Sequence, residues 1–330
     1  MKRPWLAALA PLYGAAVGWR NRRIDCGRET VERLRWPVVS VGNLSAGGAG
    51  KTPLTIALAR GLVARGLRVD VLSRGYGRRT GGVLRVDPEG RAEDFGDEPL
   101  EMARTAGVPV YVGRRRVEAG RLAESEAGET VTGVHLLDDG FQHRQLFRTV
   151  DILLISGQDL RDCLLPGGGL REPLKNFRRA TVVAVPAEEP ELERWLGEQG
   201  WTGPVWRVRR RMERPAVETK VLAFCGIARP EQFFSGLREL GVDLAAEVAF
   251  RDHYCYRRRD LERLVRQARA LGAGALVTTE KDRARLGGLE ELGIRVETAR
   301  LASEIEDGAL DELAGRLRDF SEQAEYGCKL

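Results

Sequence analysis

The stretch Ser45-Ala-Gly-Gly-Ala-Gly50-Lys51-Thr52 decides the fold, because an apolar run at 37–42 precedes it and a helix-like run at 54–59 follows it. A strand, a glycine-rich turn, a Lys-Thr pair and a helix in this order form a phosphate cradle, in which N–H groups at the helix N-terminus face the anion. In such a cradle the lysine reaches the β- and γ-phosphates, and the threonine hydroxyl can bind Mg²⁺. The sequence therefore predicts a nucleoside triphosphate site formed by Ser45, Ala46, Gly47, Gly48, Ala49, Gly50, Lys51 and Thr52.

This loop departs from the general pattern G-x-x-x-x-G-K-[ST] at its first position, where Ser45 replaces glycine. Gly47 and Gly48 can supply the missing backbone freedom, since glycine adopts positive φ without steric cost. The alternative is an ordinary glycine-rich turn between a strand and a helix. The strand pattern before the loop and the helical pattern after it favour the phosphate site.

The composition is that of a folded protein with a large core. The chain has 330 residues, of which 43% are hydrophobic, and this length suggests about two domains. Its five cysteines are odd in number and form no C-x-x-C pair, so neither a disulfide framework nor a zinc site is indicated. This cysteine usage fits a reducing cytoplasm. The net charge of +5 is small, and no nucleic-acid partner is expected from it.

The basic excess is concentrated in residues 1–36, which carry eight basic and three acidic side chains. Between Arg3 and Arg20 lie 16 uncharged residues with tryptophans near both ends. This run is shorter than the roughly 20 residues that span a bilayer, and basic flanks with terminal tryptophans suit an anionic membrane surface. We expect residues 1–36 to be a membrane-associated segment that lies on the surface or inserts shallowly. A signal peptide and a simple core helix are the alternatives.

Further along the chain, short apolar runs alternate with helical patterns, which indicates a mostly parallel sheet with helices on both faces. We expect an α/β protein of the P-loop NTPase type with a second, smaller α/β lobe. The expected divisions are a nucleotide-binding domain at 37–200, an extended linker at 201–219, a second lobe at 220–302 and a C-terminal helix at 303–330. The sequence does not indicate which lobe this helix packs on. The linker includes the basic stretch Val205-Trp-Arg-Val-Arg-Arg-Arg211.

Two adjacent acids, Asp138 and Asp139, follow the apolar run 134–137. Open α/β sheets present their ligand sites at strand carboxyl ends, so these acids are candidate Mg²⁺ ligands. A surface turn or helix cap is the alternative, since Asp is common in both.

Taken together, seven motifs closely resemble, in this order, those of the tetraacyldisaccharide 4′-kinase family. They are Ser45-Ala-Gly-Gly-Ala-Gly-Lys-Thr52, Leu72-Ser-Arg-Gly-Tyr-Gly77, Gly96-Asp-Glu-Pro99, Asp138-Asp-Gly-Phe-Gln-His143, Leu170-Arg-Glu-Pro-Leu174, Phe224-Cys-Gly-Ile-Ala-Arg-Pro230 and Thr279-Glu-Lys-Asp282. The resemblance covers nearly the whole chain, and Ser45 is itself usual in that family. It implies transfer of the ATP γ-phosphoryl group to the 4′-hydroxyl of a tetraacylated glucosamine disaccharide 1-phosphate. It further implies two α/β lobes with the site between them, at the cytoplasmic face of the inner membrane.

The resemblance also implies roles for individual residues. Lys51 and the loop amides hold the phosphates of ATP, while Thr52 and Asp139, with or without Asp138, hold Mg²⁺. Arg171 is a candidate phosphate clamp, because a guanidinium matches phosphate oxygens in pairs. The remaining assignments are Asp97 as acceptor of the sugar hydroxyl proton, His253 as its orienting partner, and Glu98 and His143 as groups on the metal side.

Three other classes of protein deserve comparison. A switch GTPase would need an Asn-Lys-x-Asp element, whose spacing Thr279-Glu-Lys-Asp282 does not have. A membrane-associated partitioning ATPase carries a lysine where this loop has Ala46. A nonenzymatic membrane adaptor would leave Asp97, Asp139 and His253 without a shared purpose.

Overall fold

The structure is a computed structural model, and it describes residues 4–46, 50–227, 229–252, 254–286 and 293–327. Four residues of the predicted site, Gly47, Gly48, Ala49 and His253, lie outside these ranges. Within them the strands are β1 (Val38–Asn43), β2 (Val69–Ser73), β3 (Leu84–Arg85), β4 (Val110–Val112), β5 (Val134–Asp138), β6 (Val150–Leu154), β7 (Val182–Pro186), β8 (Val205–Met212), β9 (Val221–Cys225), β10 (Leu244–Ala249), β11 (Ala275–Thr279), β12 (Arg295–Ala299) and β13 (Leu301–Ile305).

The helices of the described ranges pack around these strands. They are α1 (Ala10–Asp25), α2 (Lys51–Ala64), α3 (Ala92–Phe95), α4 (Asp97–Thr105), α5 (Arg116–Ala127), α6 (Gly157–Leu160), α7 (Glu191–Glu198), α8 (Pro230–Glu239), α9 (Arg258–Ala270), α10 (Glu280–Arg285) and α11 (Asp307–Gly327), with 3-10 helices at Pro4–Leu9 and Leu174–Arg179.

The larger sheet has the strand order β13-β8-β7-β6-β1-β5-β2-β4-β3. Its two edge strands, β13 and β3, pair antiparallel with their neighbours, and the pairs between them are parallel. Every residue of β1, β2, β5 and β6 is buried. Near-continuous apolar strands of this kind are typical of parallel sheets covered on both faces. The first lobe is therefore the predicted α/β fold.

Helices cover both faces of this sheet. Leu54, Leu58 and Leu62 lie on one face of α2 and pack in a core with Val39 and Val41 of β1. Residues of α5 pack in a second core with Val38 of β1, and residues of α7 pack in a third core with residues of β6 and β7. Along each strand, the residues of these two cores alternate with the residues of the core that contains α2. Since successive side chains of a strand point to opposite faces, α2 lies on one face and α5 and α7 on the other.

The second lobe is a four-stranded parallel sheet in the order β10-β9-β11-β12. Phe233, Phe234 and Leu237 of α8 pack against one set of its strand residues, and Leu261 and Leu264 of α9 pack against another. The second, smaller α/β lobe predicted from the sequence is confirmed.

Two of the expected divisions are wrong in detail. Val205–Met212 is not linker but strand β8, whose Trp206 and Val208 point into the core of the first lobe while Arg207 and Arg209 face outward. The arginines hid this alternation in the sequence. The strand β13, Leu301–Ile305, then returns from the second lobe to pair with β8. The second sheet therefore ends with β12, at Ala299.

The packing of the C-terminal helix, which the sequence left open, is visible in the structure. Leu310, Leu313, Ala314 and Leu317 of α11 are buried in the core that also contains the leucines of α2. The C-terminal helix thus belongs to the first lobe and packs on the helix that follows the phosphate loop.

At the N-terminus, α1 lies beside the first lobe. The Tyr13 hydroxyl donates to the Arg171 carbonyl oxygen at 3.0 Å, and Asn21 donates to Glu172 at 3.0 Å. Its side chains Leu12 and Trp19 remain 70% and 64% exposed. Among the described helices, none combines the length and the apolar character needed to cross a bilayer.

Candidate active site

The phosphate loop lies where β1 ends, at the centre of the larger sheet. Gly50 has φ of +85°, a left-handed conformation that glycine adopts without strain, and α2 begins at the next residue, Lys51. The Lys51 ammonium donates to Asn43 Oδ1 at 3.0 Å. On the other side of the loop, the Ala46 N–H donates to the Gly169 carbonyl oxygen at 2.7 Å. The described ends of the loop are thus fixed by β1, by α2 and by a second loop.

The strand β5 pairs with β1 and ends at Asp138, so the acid pair lies beside the phosphate loop. Asp138 is buried, and burial, followed by the charges of Glu98 and Asp139, raises its pKa to about 7. Burial also opposes ionisation of Asp139, but the cations Lys51 and Arg171 outweigh it and hold that pKa below its ordinary value. The two neighbouring carboxyls therefore differ: the nearby cations favour the ionised form of Asp139, while burial and like charges favour protonation of Asp138.

Arg171 lies in the loop that follows α6, and its side chain contacts Asp139. Its guanidinium donates to Asp139 Oδ2 at 2.8 Å, and the Lys51 ammonium lies 3.5 Å from Asp139 Oδ1. Two cations therefore converge on one carboxylate beside the N-terminus of α2. This arrangement can accept an anion with several oxygens, because guanidinium, ammonium and helix N-terminus all favour negative charge.

The predicted base, Asp97, lies at the start of α4. Gly96 precedes the helix with φ of +94°, where an added Cβ would lie 2.9 Å from the Tyr76 carbonyl oxygen. Asp97 and Glu98 are the first two residues of α4, where the helix dipole favours carboxylates. The charge of Glu98 acts on Asp138, and that of Lys51 acts on Glu98, so Glu98 shares one electrostatic site with the phosphate loop and the acid pair.

The second lobe contributes cations to these acids. Arg285 Nε donates to Asp97 Oδ2 at 2.7 Å, and Lys281 Nζ donates to Glu98 Oε1 at 2.7 Å. Burial opposes ionisation of Glu98, but the Lys281 ammonium brings its pKa below the ordinary value. Glu98, predicted as a metal ligand, therefore has a cation partner already. The predicted partner of Asp97, His253, lies outside the described residues.

Sequence reasoning missed two further arginines. Arg116, at the start of α5, is buried, and its charge acts on both Asp138 and Asp139; burial, and then the charge of Arg74, lowers its pKa to about 10. Arg210 of β8 faces inward, and a Cβ on Gly50 would lie 2.7 Å from its guanidinium. The period-2 alternation with Trp206 and Val208 was the signal that could have identified Arg210.

His143 lies near Arg116. Burial and the Arg116 charge lower its pKa to about 3, which keeps the imidazole neutral. A neutral imidazole can accept a hydrogen bond or bind a metal. The side chain therefore keeps the chemistry expected of a group on the metal side.

The residues present fit a nucleoside triphosphate with its metal ion. The N-terminus of α2, the Lys51 ammonium and the Arg171 guanidinium offer donors for phosphate oxygens, and Thr52 is buried beside them at the start of α2. In the described part of the chain, no three His, Cys, Asp or Glu side chains converge closely enough to hold a metal by themselves. Mg²⁺ at phosphoryl-transfer sites is usually held by one or two carboxylates together with substrate phosphates. A site of that kind needs only the residues found here.

A phosphate loop at the centre of a parallel sheet, an acid pair on the next strand and a second α/β lobe define a two-lobed P-loop phosphotransferase or ATPase. The family model described as Tetraacyldisaccharide-1-P 4'-kinase matches residues 2–318. The chain belongs to this family.

Individual relatives agree. The tetraacyldisaccharide 4'-kinase of Koribacter versatilis is 44% identical and is covered to 96%, with 92% of this chain aligned. The tetraacyldisaccharide 4'-kinase of Geobacter metallireducens is 38% identical, and the match covers 90% of that protein and 88% of this chain. The crystal structure of the "apo" form of LpxK from Aquifex aeolicus in complex with ATP is similar with a TM-score of 0.76 at 32% identity, and the match covers 94% of this chain and 98% of that one.

Proposed function

We propose that this protein transfers the γ-phosphoryl group of ATP to the 4′-hydroxyl of a tetraacylated glucosamine disaccharide 1-phosphate, a step of lipid A biosynthesis. The observation that carries the proposal is the convergence of Lys51 and Arg171 on Asp139, together with the electrostatic coupling of Lys51 and Asp139 to Glu98, the neighbour of Asp97 at the start of α4. Cations for a nucleotide thus lie in one site with the helix end that carries a carboxylate suited to an acceptor alcohol. Family membership and the ATP complex of the Aquifex aeolicus relative support it.

The phosphate half of the site holds the nucleotide. Lys51 and the loop amides bind the β- and γ-phosphates, and Arg171 binds the transferred group, since phosphoryl transfer depends on positioning and charge neutralisation. Thr52 and Asp139, with Asp138 beside them, would hold Mg²⁺, which would neutralise charge on the phosphates. Asp139 can serve the metal only if it shares its contacts with Lys51 and Arg171, because both cations already reach it.

The acceptor half activates the sugar alcohol. Asp97 accepts the 4′-hydroxyl proton, and His253 orients Asp97 or tunes its basicity. Glu98 can serve the metal only if Lys281 shares it, because that ammonium already donates to Oε1. Arg116 lies where its charge acts on Asp138 and Asp139, and we assign it to the stabilisation of transferred negative charge.

The lipid acceptor places the enzyme at a membrane surface. The exposed side chains Leu9, Leu12 and Trp19 lie in or beside α1, and the Arg23 guanidinium lies 4.9 Å from the Trp19 ring centroid. Apolar side chains flanked by arginines suit the headgroup region of an anionic bilayer. We infer peripheral binding at the cytoplasmic face of the inner membrane.

The runner-up, a membrane-associated partitioning ATPase without a lipid acceptor, makes a different prediction about turnover. Purified protein is given radiolabelled Mg²⁺-ATP with and without tetraacyl disaccharide 1-phosphate in mixed micelles. Our proposal predicts label in the lipid and little phosphate release without it. Steady ATP hydrolysis that is indifferent to the lipid, with no labelled lipid, would support the ATPase instead.

A further inference from the structure

Two cations of the second lobe meet two consecutive acids of the first. Lys281 and Arg285 lie one turn apart on α10, and their partners Glu98 and Asp97 begin α4. Each pair has a nitrogen-to-oxygen distance of 2.7 Å. The Thr279-Glu-Lys-Asp282 motif therefore delivers Lys281 to Glu98, and Arg285, just beyond the motif, contacts the proposed base Asp97.

The Arg285 guanidinium also makes hydrogen bonds within the second lobe, on atoms other than the one that contacts Asp97. Its Nη1 donates to the Gly226 carbonyl oxygen at 3.0 Å and to Asp282 Oδ1 at 3.2 Å. The side chain of Arg285 is only 6% exposed. A planar guanidinium fixed at Nη1 has its Nε–H direction fixed as well.

Asp282 is in turn one of the most constrained side chains of the second lobe. It is fully buried, and it accepts hydrogen bonds from the Thr279 hydroxyl at 2.7 Å, the Tyr256 hydroxyl at 2.9 Å and the Gly226 N–H at 3.0 Å. A buried carboxylate needs such partners, because an unpaired buried charge is strongly destabilising. This hydrogen-bond network fixes Asp282, and Asp282 in turn restricts the conformation of Arg285 at the end of α10.

Asp97, by contrast, belongs to the other lobe and is the first residue of a short helix, with 23% of its side chain exposed. A base must be held within hydrogen-bonding reach of its proton, and a displacement of about 1 Å can cost on the order of 10²-fold in rate. Contact with a guanidinium fixed in the opposite lobe selects one Asp97 rotamer when the lobes are together. The Lys281 contact does the same for the neighbouring Glu98.

We propose that Arg285 is a positioning residue for Asp97, and that Lys281 supports it through Glu98, so that the second lobe aligns the base for the acceptor hydroxyl. The proposal rests on the function proposed above for Asp97. Arg285 neither touches the nucleotide nor exchanges a proton. It acts on the rate of transfer through Asp97 alone.

The test is a double-mutant cycle on the full-length protein. We expect Arg285→Ala to lower kcat for lipid phosphorylation about tenfold or more while KM for ATP changes less than about threefold, since the group acts on the transition state and not on bound nucleotide. The variant Asp97→Ala/Arg285→Ala should be little slower than Asp97→Ala, because residues that act as a unit are not additive. Arg285→Lys, which keeps one cation, should recover part of the rate.

The matched control is Arg258→Ala, which removes an arginine of the same lobe whose ion pair with Glu262 stays within α9. It should match wild type in kcat and KM, and thermal melts of all variants report folding. Multiplicative losses in the cycle, or normal kcat in Arg285→Ala, would overturn the positioning role. Should Arg285→Ala fail to fold, Arg285→Lys decides: a soluble variant with unchanged kcat contradicts the proposal. If wild type and Arg258→Ala themselves phosphorylate no lipid, the proposed function fails instead.

Discussion

The two halves of the candidate site are built in different ways. The phosphate half is centred on one strand, one loop and one helix in a continuous stretch. Asp138 and Asp139 at the end of the neighbouring strand β5, and Arg171 from a second loop, complete it within the same lobe. The acceptor half joins α4 to α10, and its ion pair links residues 188 positions apart. The phosphate half is therefore formed within one lobe, whereas the acceptor half depends on how two lobes meet.

The largest expected effect breaks the acceptor half. Asp97→Ala should lower kcat by about 10²–10⁴-fold, the usual cost of losing a general base, with little change in KM for ATP. If His253 acts only through Asp97, His253→Ala should cost less, and the double variant should resemble Asp97→Ala. Steady-state kinetics at saturating lipid measure all three. Independent, multiplicative losses would argue against a shared role.

The second prediction breaks the phosphate half. Lys51→Ala and Asp139→Ala should each lower transfer by about 10²–10³-fold, comparable with the loss of one preorganised charge-stabilising group, and Lys51→Ala should also weaken ATP binding. Lys175→Ala, at an exposed lysine, is the control for loss of one positive charge. Titration calorimetry with Mg²⁺-ATP measures affinity, and a Lys51→Ala variant with normal turnover would exclude the assigned cradle.

A third prediction concerns the surface that brings the lipid to the site. Leu12→Ser/Trp19→Ser removes two exposed apolar side chains of α1 but leaves the contacts of Tyr13 and Asn21 with the first lobe. We expect weaker co-sedimentation with anionic vesicles and a higher KM for lipid, with unchanged ATP affinity. Leu271→Ser, an exposed leucine of the second lobe, is the control. Equal sedimentation of the two variants would remove α1 from the membrane contact.

The smallest effect is on the stability of the first lobe alone. His135 of β5 is buried and lies 2.7 Å from Asp70; burial opposes its protonation, but Asp70 and Glu124 raise its pKa to about 9. A pKa above the unfolded value of about 6.5 adds stability that is complete below pH 6.5 and is lost as pH rises through 9. Chemical denaturation of wild type should show this decline, and His135→Gln should flatten it. Parallel curves for both proteins would contradict a charged His135.

Sequence reasoning succeeded where chemistry is local and failed where it depends on packing. The glycine-rich loop and the apolar runs predicted β1, α2 and β5, because hydrophobic pattern and turn residues specify such units directly. Strand β8 was missed because four of its eight residues are arginines, and one of them, Arg210, interrupts the apolar residues of its inner face. The partnership of Arg285 with Asp97 could not be predicted, since nothing in either local sequence encodes the contact between α10 and α4.

The central claim is that nucleotide binding and acceptor activation are separate properties of the two halves. The most direct test measures the ATP dissociation constant and the rate of lipid phosphorylation on the same preparation of Asp97→Ala. We predict an ATP affinity within about threefold of wild type, beside a transfer rate lowered at least about 10²-fold. An Asp97→Ala protein that transfers phosphate normally, or that loses ATP affinity in proportion to its rate, would contradict this division.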